Sequence, residues 1–257
     1  MSAEITVRHC RGIEEMSTCV ELQRRVWGER DLEIVPNTIF LVAAQIGGQV
    51  LGAFADAEMI GFTFAMPGVR EGKPFLHSHM TALLEPYRDR GVGRRLKLFQ
   101  REDALARGIG MVEWTFDPLA TRNAHFNLDR LGAIVRRGVR NAYGITSSPV
   151  HRGLPTDRLV AEWHLDSPRV REILEGRVAA PRGRVAEITV PENIEDRNAV
   201  SLAEVARIQD RVMAEFESCF ARGYTAIATA RSPQGFKYIL DAEFFGSVNP
   251  PHRKAGV

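Results

Sequence analysis

The stretch LHSHMTALLEPYRDRGVGRRLKLFQ, residues 76–100, constrains the fold more than any other part of the chain. It opens as a strand, breaks at Pro86 and crosses two closely spaced glycines. It then continues as a basic amphipathic helix, expected over residues 92–107 and stopped by Gly108. A turn that hands a strand over to a helix aims several backbone N–H groups outward, and the helix N-terminus adds partial positive charge. Gly91 and Gly93 let a bulky anion approach the backbone without a Cβ in the way, and Arg88, Arg90, Arg94 and Arg95 surround it with charge. A pyrophosphate fits that demand. The spacing has neither the lysine of a Walker motif nor the third glycine of a dinucleotide fingerprint. The competing reading is a structural turn at the solvated start of a helix. The strand before the turn and the helical N-terminal segment favour the anion.

The rest of the chain surrounds this turn with a regular order of elements. A short strand at EITVRHC precedes a helix over 13–27, on which Ile13, Met16, Val20 and Trp27 fall near one face. A loop closed by Pro36 and a short helix at TIFLVAAQ follow, then two strands joined by a tight turn around Asp56. After the glycine turn come a strand ending at Pro118, a helix at NAHFNLDRL closed by Gly132, and two more strands. The order predicts a mixed α/β sheet, mainly antiparallel, with one right-handed crossover at the glycine turn. Ser167-Pro168 marks a boundary, giving an N-terminal domain over 1–166 and a C-terminal α/β extension over 167–257. The extension reads as a short helix, a strand at AEITV, a long helix over 199–222 and two strands. It is expected to pack on the core or at a dimer interface. The last residues, NPPHRKAGV, read as disordered.

Composition narrows the function classes. A net charge of +2 argues against a nucleic-acid binder, and the longest nearly apolar run, MIGFTFAMPGV, is too short for a bilayer and contains Pro67. The first ten residues lack the apolar run of a signal peptide. Cys10, Cys19 and Cys219 are odd in number and form no CxxC pair, which fits a reducing compartment without a disulfide framework or a zinc ribbon. The expectation is a cytoplasmic protein with no membrane, nucleic-acid or metal partner.

Arg88-x-x-Gly91-x-Gly93 resembles the signature of the GNAT superfamily of acyl-CoA-dependent N-acyltransferases, and the likeness in element order covers roughly residues 4–166. LHSHM, WTFDPL and NAHFNLDRLGA together resemble a functionally uncharacterised branch of that superfamily. The resemblance implies a splayed sheet that takes acetyl-CoA, or another acyl-CoA, as co-substrate. The backbone of Asp89, Arg90, Gly91, Val92, Gly93 and Arg94 would hold the CoA pyrophosphate. Ala82, Leu83 and Leu84 would pair with the pantetheine arm. The acceptor would be the amine of a small molecule or a peptide, and a homodimer is compatible with the pattern.

His77 and His79 lie two apart on the strand and share a face, with Thr81 and Leu83 placed on the same face. The resemblance makes them bases for the attacking amine, His79 first because it lies nearer the pantetheine-contacting residues. A neutral imidazole suits that task. A hydrogen-bonded pair inside the sheet is the alternative. Metal binding is disfavoured, since no further ligand cluster accompanies them. Asp117 is a second base candidate or a helix cap. Asn123 is a cofactor contact or a cap. Relatives carry a tyrosine on the helix after Pro118 that protonates the leaving thiolate, and that slot here holds Leu128, which leaves water or a residue such as Tyr143. Glu33 and Trp27 flank the loop that would shape the acceptor pocket. Arg122, Arg136, Arg137 and Arg140 would favour an anionic acceptor or form a solvated strand edge. The alternative to an enzyme is a CoA-binding or interaction module on the same scaffold.

Overall fold

The computed structural model describes residues 4–28, 33–146, 152–177, 180–195, 200–233 and 235–244, so the tail 249–257 lies outside the described residues. The chain forms two compact units. One comprises Met1–Trp114, Ile145–Leu154 and His164–Asp166, the other Thr115–Gly144, Pro155–Trp163 and Ser167–Val257.

The first unit runs β1 (Ile5–His9), α1 (Gly12–Trp27), α2 (Asn37–Gln45), β2 (Gln49–Ala55), β3 (Glu58–Arg70), β4 (Lys73–Leu83), α3 (Val92–Ala106) and the start of β5 (Met111–Phe116). The first four strands form an antiparallel meander. The tight turn between β2 and β3 holds Asp56 at φ 51°, a conformation that Asp tolerates better than most residues. After α3 the chain returns with β5 parallel to β4.

This sheet is covered on both faces. Phe40 of α2 meets Phe62 and Phe64 of β3 edge-on, at 5.7 and 4.8 Å between ring centroids, in a cluster that includes Met16, Cys19 and Leu22 of α1. The opposite face packs Leu51, Ala53 and Ile60 against Val92 and Leu96 of α3. On α1 the buried stripe is Met16, Cys19, Leu22 and Gln23, whereas Ile13 is 53% exposed. At 3.6 residues per turn Ile13 points about 110° away from the centre of that stripe, so the expected face is rotated.

The second unit contains α4 (Thr121–His125), β6 (Ile134–Val139), β7 (Arg158–His164), α5 (Pro168–Leu174), β8 (Val185–Val190), α6 (Leu202–Ala221), β9 (Thr225–Ser232) and β10 (Gly235–Asp241). β7, β6, β9, β10 and β8 pair antiparallel in that order. Ser167 caps α5 by accepting from the Val170 amide. Ser167 opens the last segment of this unit, which also takes in Pro155–Trp163, whereas His164–Asp166 belong to the first unit. Arg169, buried, donates to the carbonyls of Gly132, Leu128 and Ile227, and the Tyr238 hydroxyl donates to the Pro118 carbonyl at 2.7 Å. The helix expected at NAHFNLDRL forms as α4 continued by a π-helical turn, Phe126–Arg130, before Gly132. The architecture is therefore mixed α/β, mainly antiparallel and flanked by helices, with one parallel crossover.

Candidate active site

At the end of β4 the chain makes a 3-10 turn, Glu85–Tyr87, then passes Asp89 at φ 57° and Gly91 at φ 77° into α3. Val92, 1% exposed, anchors the start of the helix in the core. The amide of Arg95 bonds the carbonyl of Gly91 at 3.0 Å, and helix geometry leaves the amides before it without an intrahelical acceptor. The positive φ explains glycine at position 91. It does not explain Gly93, which has no left-handed φ and whose Cβ would meet nothing within 4 Å. The helix therefore offers an open, Cβ-free approach to its first turn. Arg88 turns back instead, its Nε donating to the Leu83 carbonyl at 3.0 Å, and Arg95 donates to the Ile5 carbonyl at 2.5 Å.

β4 supplies the rest of the site. Its parallel ladder with β5 consists of Leu76↔Val112 and His77↔Glu113 and then stops, while β4 runs on to Leu83. Among the described residues, no strand pairs with that edge from Ser78 onward. The amide of Leu84 donates to Ile60 at 2.9 Å, and the Met80 carbonyl accepts from Thr63. By the two-residue alternation, the backbone groups that face this edge belong to Thr81 and Leu83 rather than Ala82 and Leu84, with the Leu83 carbonyl taken by Arg88 Nε.

A β-bulge interrupts β4 at the histidines. Met80 lies opposite Phe64 and Ser78 opposite Ala65, which leaves His79 without a cross-strand partner. His79 stands edge-on to Phe64 at 6.1 Å and 6.2 Å from the His77 ring, so both histidines do share a face. Thr81 does not lie on it. Its hydroxyl bonds Thr63 at 2.7 Å, and Leu83 packs with Val92 and Leu96 on the α3 side. The extra residue turns the strand over between His79 and Thr81, which corrects the shared face read from simple alternation. Partial desolvation against the sheet lowers the pKa of His79, and the neighbouring His77 lowers it further, although the residue keeps a solvent-exposed surface. Both effects favour the proton-accepting form of the ring. His77 Nδ1 lies 3.5 Å from Glu113 Oε1, and Glu113, buried, is held by both Nη atoms of Arg70 at 2.8 and 3.0 Å.

A second buried charge lies on the opposite face. Lys97 of α3 is 4% exposed and donates to Ser78 Oγ at 3.2 Å and Gln100 Oε1 at 2.5 Å, with its Nζ 4.0 Å from the centre of the Trp114 ring. Burial pushes its pKa down to about 7. Sequence reasoning singled out neither Glu113 nor Lys97. A signal was present for each: a lone carboxylate within the apolar strand MVEWTF, and a lysine on the same helical stripe as Gln100 and Ala104.

The remaining candidates lie in the second unit. Asp117 Oδ1 accepts from the Leu119 amide at 2.8 Å and so shapes the turn before α4. Asn123 is exposed on α4. Leu128 is fully buried in the π-helical turn. Tyr143 is 48% exposed and its hydroxyl bonds Thr115 Oγ1 at 2.8 Å. Arg136 pairs with Glu162, and Arg140 with Asp210 and Glu217 at 2.6 and 2.7 Å, so much of the basic segment is neutralised locally. In the first unit Trp27 packs on the apolar cluster beside α1, and Glu33 is exposed. Among the described residues no three His, Cys, Asp or Glu side chains group as metal ligands, and no helix is long and apolar enough to cross a membrane.

No family model matches the chain, and no curated protein matches it by sequence. Solved structures do match it. The ribosomal-protein-S18-alanine N-acetyltransferase of Escherichia coli superposes with a TM-score of 0.50 at 13% identity, over 64% of this chain and 96% of that one. Arabidopsis thaliana NAA60 in complex with acetyl-CoA gives 0.51 at 13%, over 63% and 99%. A Desulfovibrio desulfuricans protein assigned to the GNAT family gives 0.50 at 14%, over 63% and 99%. The chain has the GNAT fold.

Proposed function

We propose that this protein is an N-acyltransferase that moves an acyl group, acetyl in the simplest case, from an acyl-CoA to a primary amine of a small molecule or peptide. One observation carries the reading: the unpaired edge of β4 runs directly into a glycine turn and the N-terminus of α3. An amide-bearing chain can pair with that edge while a pyrophosphate sits on the turn. Pantetheine pairs along Thr81 and Leu83, and the amides of Asp89–Arg94 take the pyrophosphate. Three buried free thiols fit a reducing compartment, and the reading places the protein in the cytoplasm.

Both substrates bind before chemistry, and holding the amine against the thioester carbonyl supplies much of the rate. His79 accepts the proton of the amine, with His77, beside Glu113 and Arg70, as its neighbour on the strand. Backbone N–H groups of the β4 edge stabilise the developing oxyanion. Asp117, already engaged by Leu119, has the weaker claim to act as a base.

The test is thermal stability with CoA, acetyl-CoA and longer acyl-CoAs, using NAD and ATP as controls. Ligand at about 100 times its Kd adds about 2.7 kcal/mol of stability, an easily read shift. A shift confined to the CoA series supports the site, and none in folded protein removes it. Gly93→Val sharpens the result. Its Cβ meets no protein atom within 4 Å, so the variant folds but loses CoA. The buried Leu128 favours a second reading, a CoA-binding module without transfer. Consumption of acetyl-CoA in the presence of an added amine separates the two.

A further inference from the structure

We propose that Ser78 and Lys97 form a proton relay that protonates the departing CoA thiolate, with Ser78 the group that touches sulfur and Lys97 acting through it. The proposal rests on the acyl-CoA reading above.

The geometry starts at the point where β4 and β5 part. Their last paired residues are His77 and Glu113, so Ser78 and Trp114 are the first residues beyond the ladder on the two strands. Lys97 reaches both, 3.2 Å to Ser78 Oγ and 4.0 Å to the centre of the Trp114 ring. The ammonium group donates to Ser78 and to Gln100 Oε1 and lies over the indole. Because Ser78 accepts from Lys97, its own hydrogen points elsewhere. Gln100 suits either protonation state. Its Oε1 serves the ammonium, and its buried Nε2, which has no hydrogen-bond partner, can turn to serve a neutral amine.

The charged groups around this layer are already engaged. Asp103, further along α3, bonds Gln49 of β2 and His9 of β1 and pairs with Arg107. Glu113, with Arg70 and His77, belongs to the other side of the strands. Burial brings Lys97 to about 7, where an acid gives up its proton readily near neutral pH.

The step balances. Collapse of the tetrahedral intermediate breaks the C–S bond and leaves the electron pair on sulfur. The Ser78 hydroxyl proton goes to sulfur, a Lys97 N–H proton goes to Ser78 Oγ, and Lys97 is left neutral. It regains a proton from solvent, to which His79 releases the one taken from the amine. This role falls to the α3 side, while His77 and His79 lie with Phe64 on the α1 side.

The experiment is an ultraviolet titration of the thiol of CoA bound to the full-length protein. It needs no acceptor. A free thiol titrates near about 8.5. An ammonium that reaches the sulfur through Ser78 lowers the bound thiol by about one pH unit, roughly tenfold more thiolate at neutral pH. Lys97→Met and Ser78→Ala, each at a CoA concentration that saturates the variant, return it to the free value, and Ser78→Ala does so with Lys97 still in place. An identical titration in wild type and both variants overturns the relay. Failure of wild-type protein to bind CoA instead overturns the site reading beneath it.

Discussion

At the residue scale the proposed site depends on one imidazole and one missing Cβ. Packing against the sheet and the neighbouring His77 lower the pKa of the solvent-exposed His79, so it stays a base to lower pH than an ordinary histidine. The acid limb of the rate profile therefore lies below the usual histidine range, and His79→Gln removes it. General-base catalysis contributes about 10²–10⁴-fold, so the same variant loses at least about a hundredfold in kcat while CoA affinity holds. Single-turnover rates beside a CoA titration check this. An unchanged rate excludes His79 as the base. His79 was legible in the sequence because His-x-His stands out on a strand. Lys97 was not. In a helix rich in arginine a lysine reads as solvated, its place on the stripe of Gln100 and Ala104 is a weak mark, and packing against Ser78 and Trp114 is what shows that it is enclosed.

At the element scale the strand–turn–helix was legible because its punctuation is chemical: Pro86, Gly91, Gly93 and Gly108 mark ends that few other residues can make. The direction of the side chains on β4 was less so. A bulge is a backbone event with no fixed sequence mark, and it places Thr81 on the face opposite His79. The phase of α1 was misread for a related reason. Cys19 and Gln23 are buried, while apolar Ile13 faces water. The end of an element makes its own prediction. Ser201 caps α6 by accepting from the Glu204 amide, so Ser201→Ala costs about 1 kcal/mol, read as a lowered urea midpoint with an unchanged m-value.

At the scale of the whole molecule, Lys97 also shapes the pH dependence of stability. Its pKa is about 7 folded and 10.5 at the ordinary lysine value. Between those values the unfolded chain binds more protons, so stability rises with pH. Below the folded value the contribution is lost. Urea midpoints across this window rise more in wild type than in Lys97→Met, and parallel curves contradict the assignment. The boundary at Ser167 has a similar test. Arg169 and Tyr238 hold the carbonyls of Leu128, Gly132 and Pro118, so a chain cut after residue 166 loses those donors and the partner strand of β6. We expect it to aggregate in light scattering. A monodisperse fragment that binds CoA normally contradicts that expectation.

The interleaving of the two units also sets an order of events during synthesis. The Leu165 amide bonds the carbonyl of Gly110, and Arg101 Nε bonds the carbonyl of Leu165 at 2.7 Å. Both closures span more than fifty residues, most of which belong to the other unit. A nascent chain that has emerged only as far as β6 carries the glycine turn and both histidines but not this clasp. It meets proteases and chaperones with the end of α3 unfastened. Release of residue 165 from the ribosome is the moment at which the N-terminal half can lock, and a pause placed before it lengthens the interval of exposure.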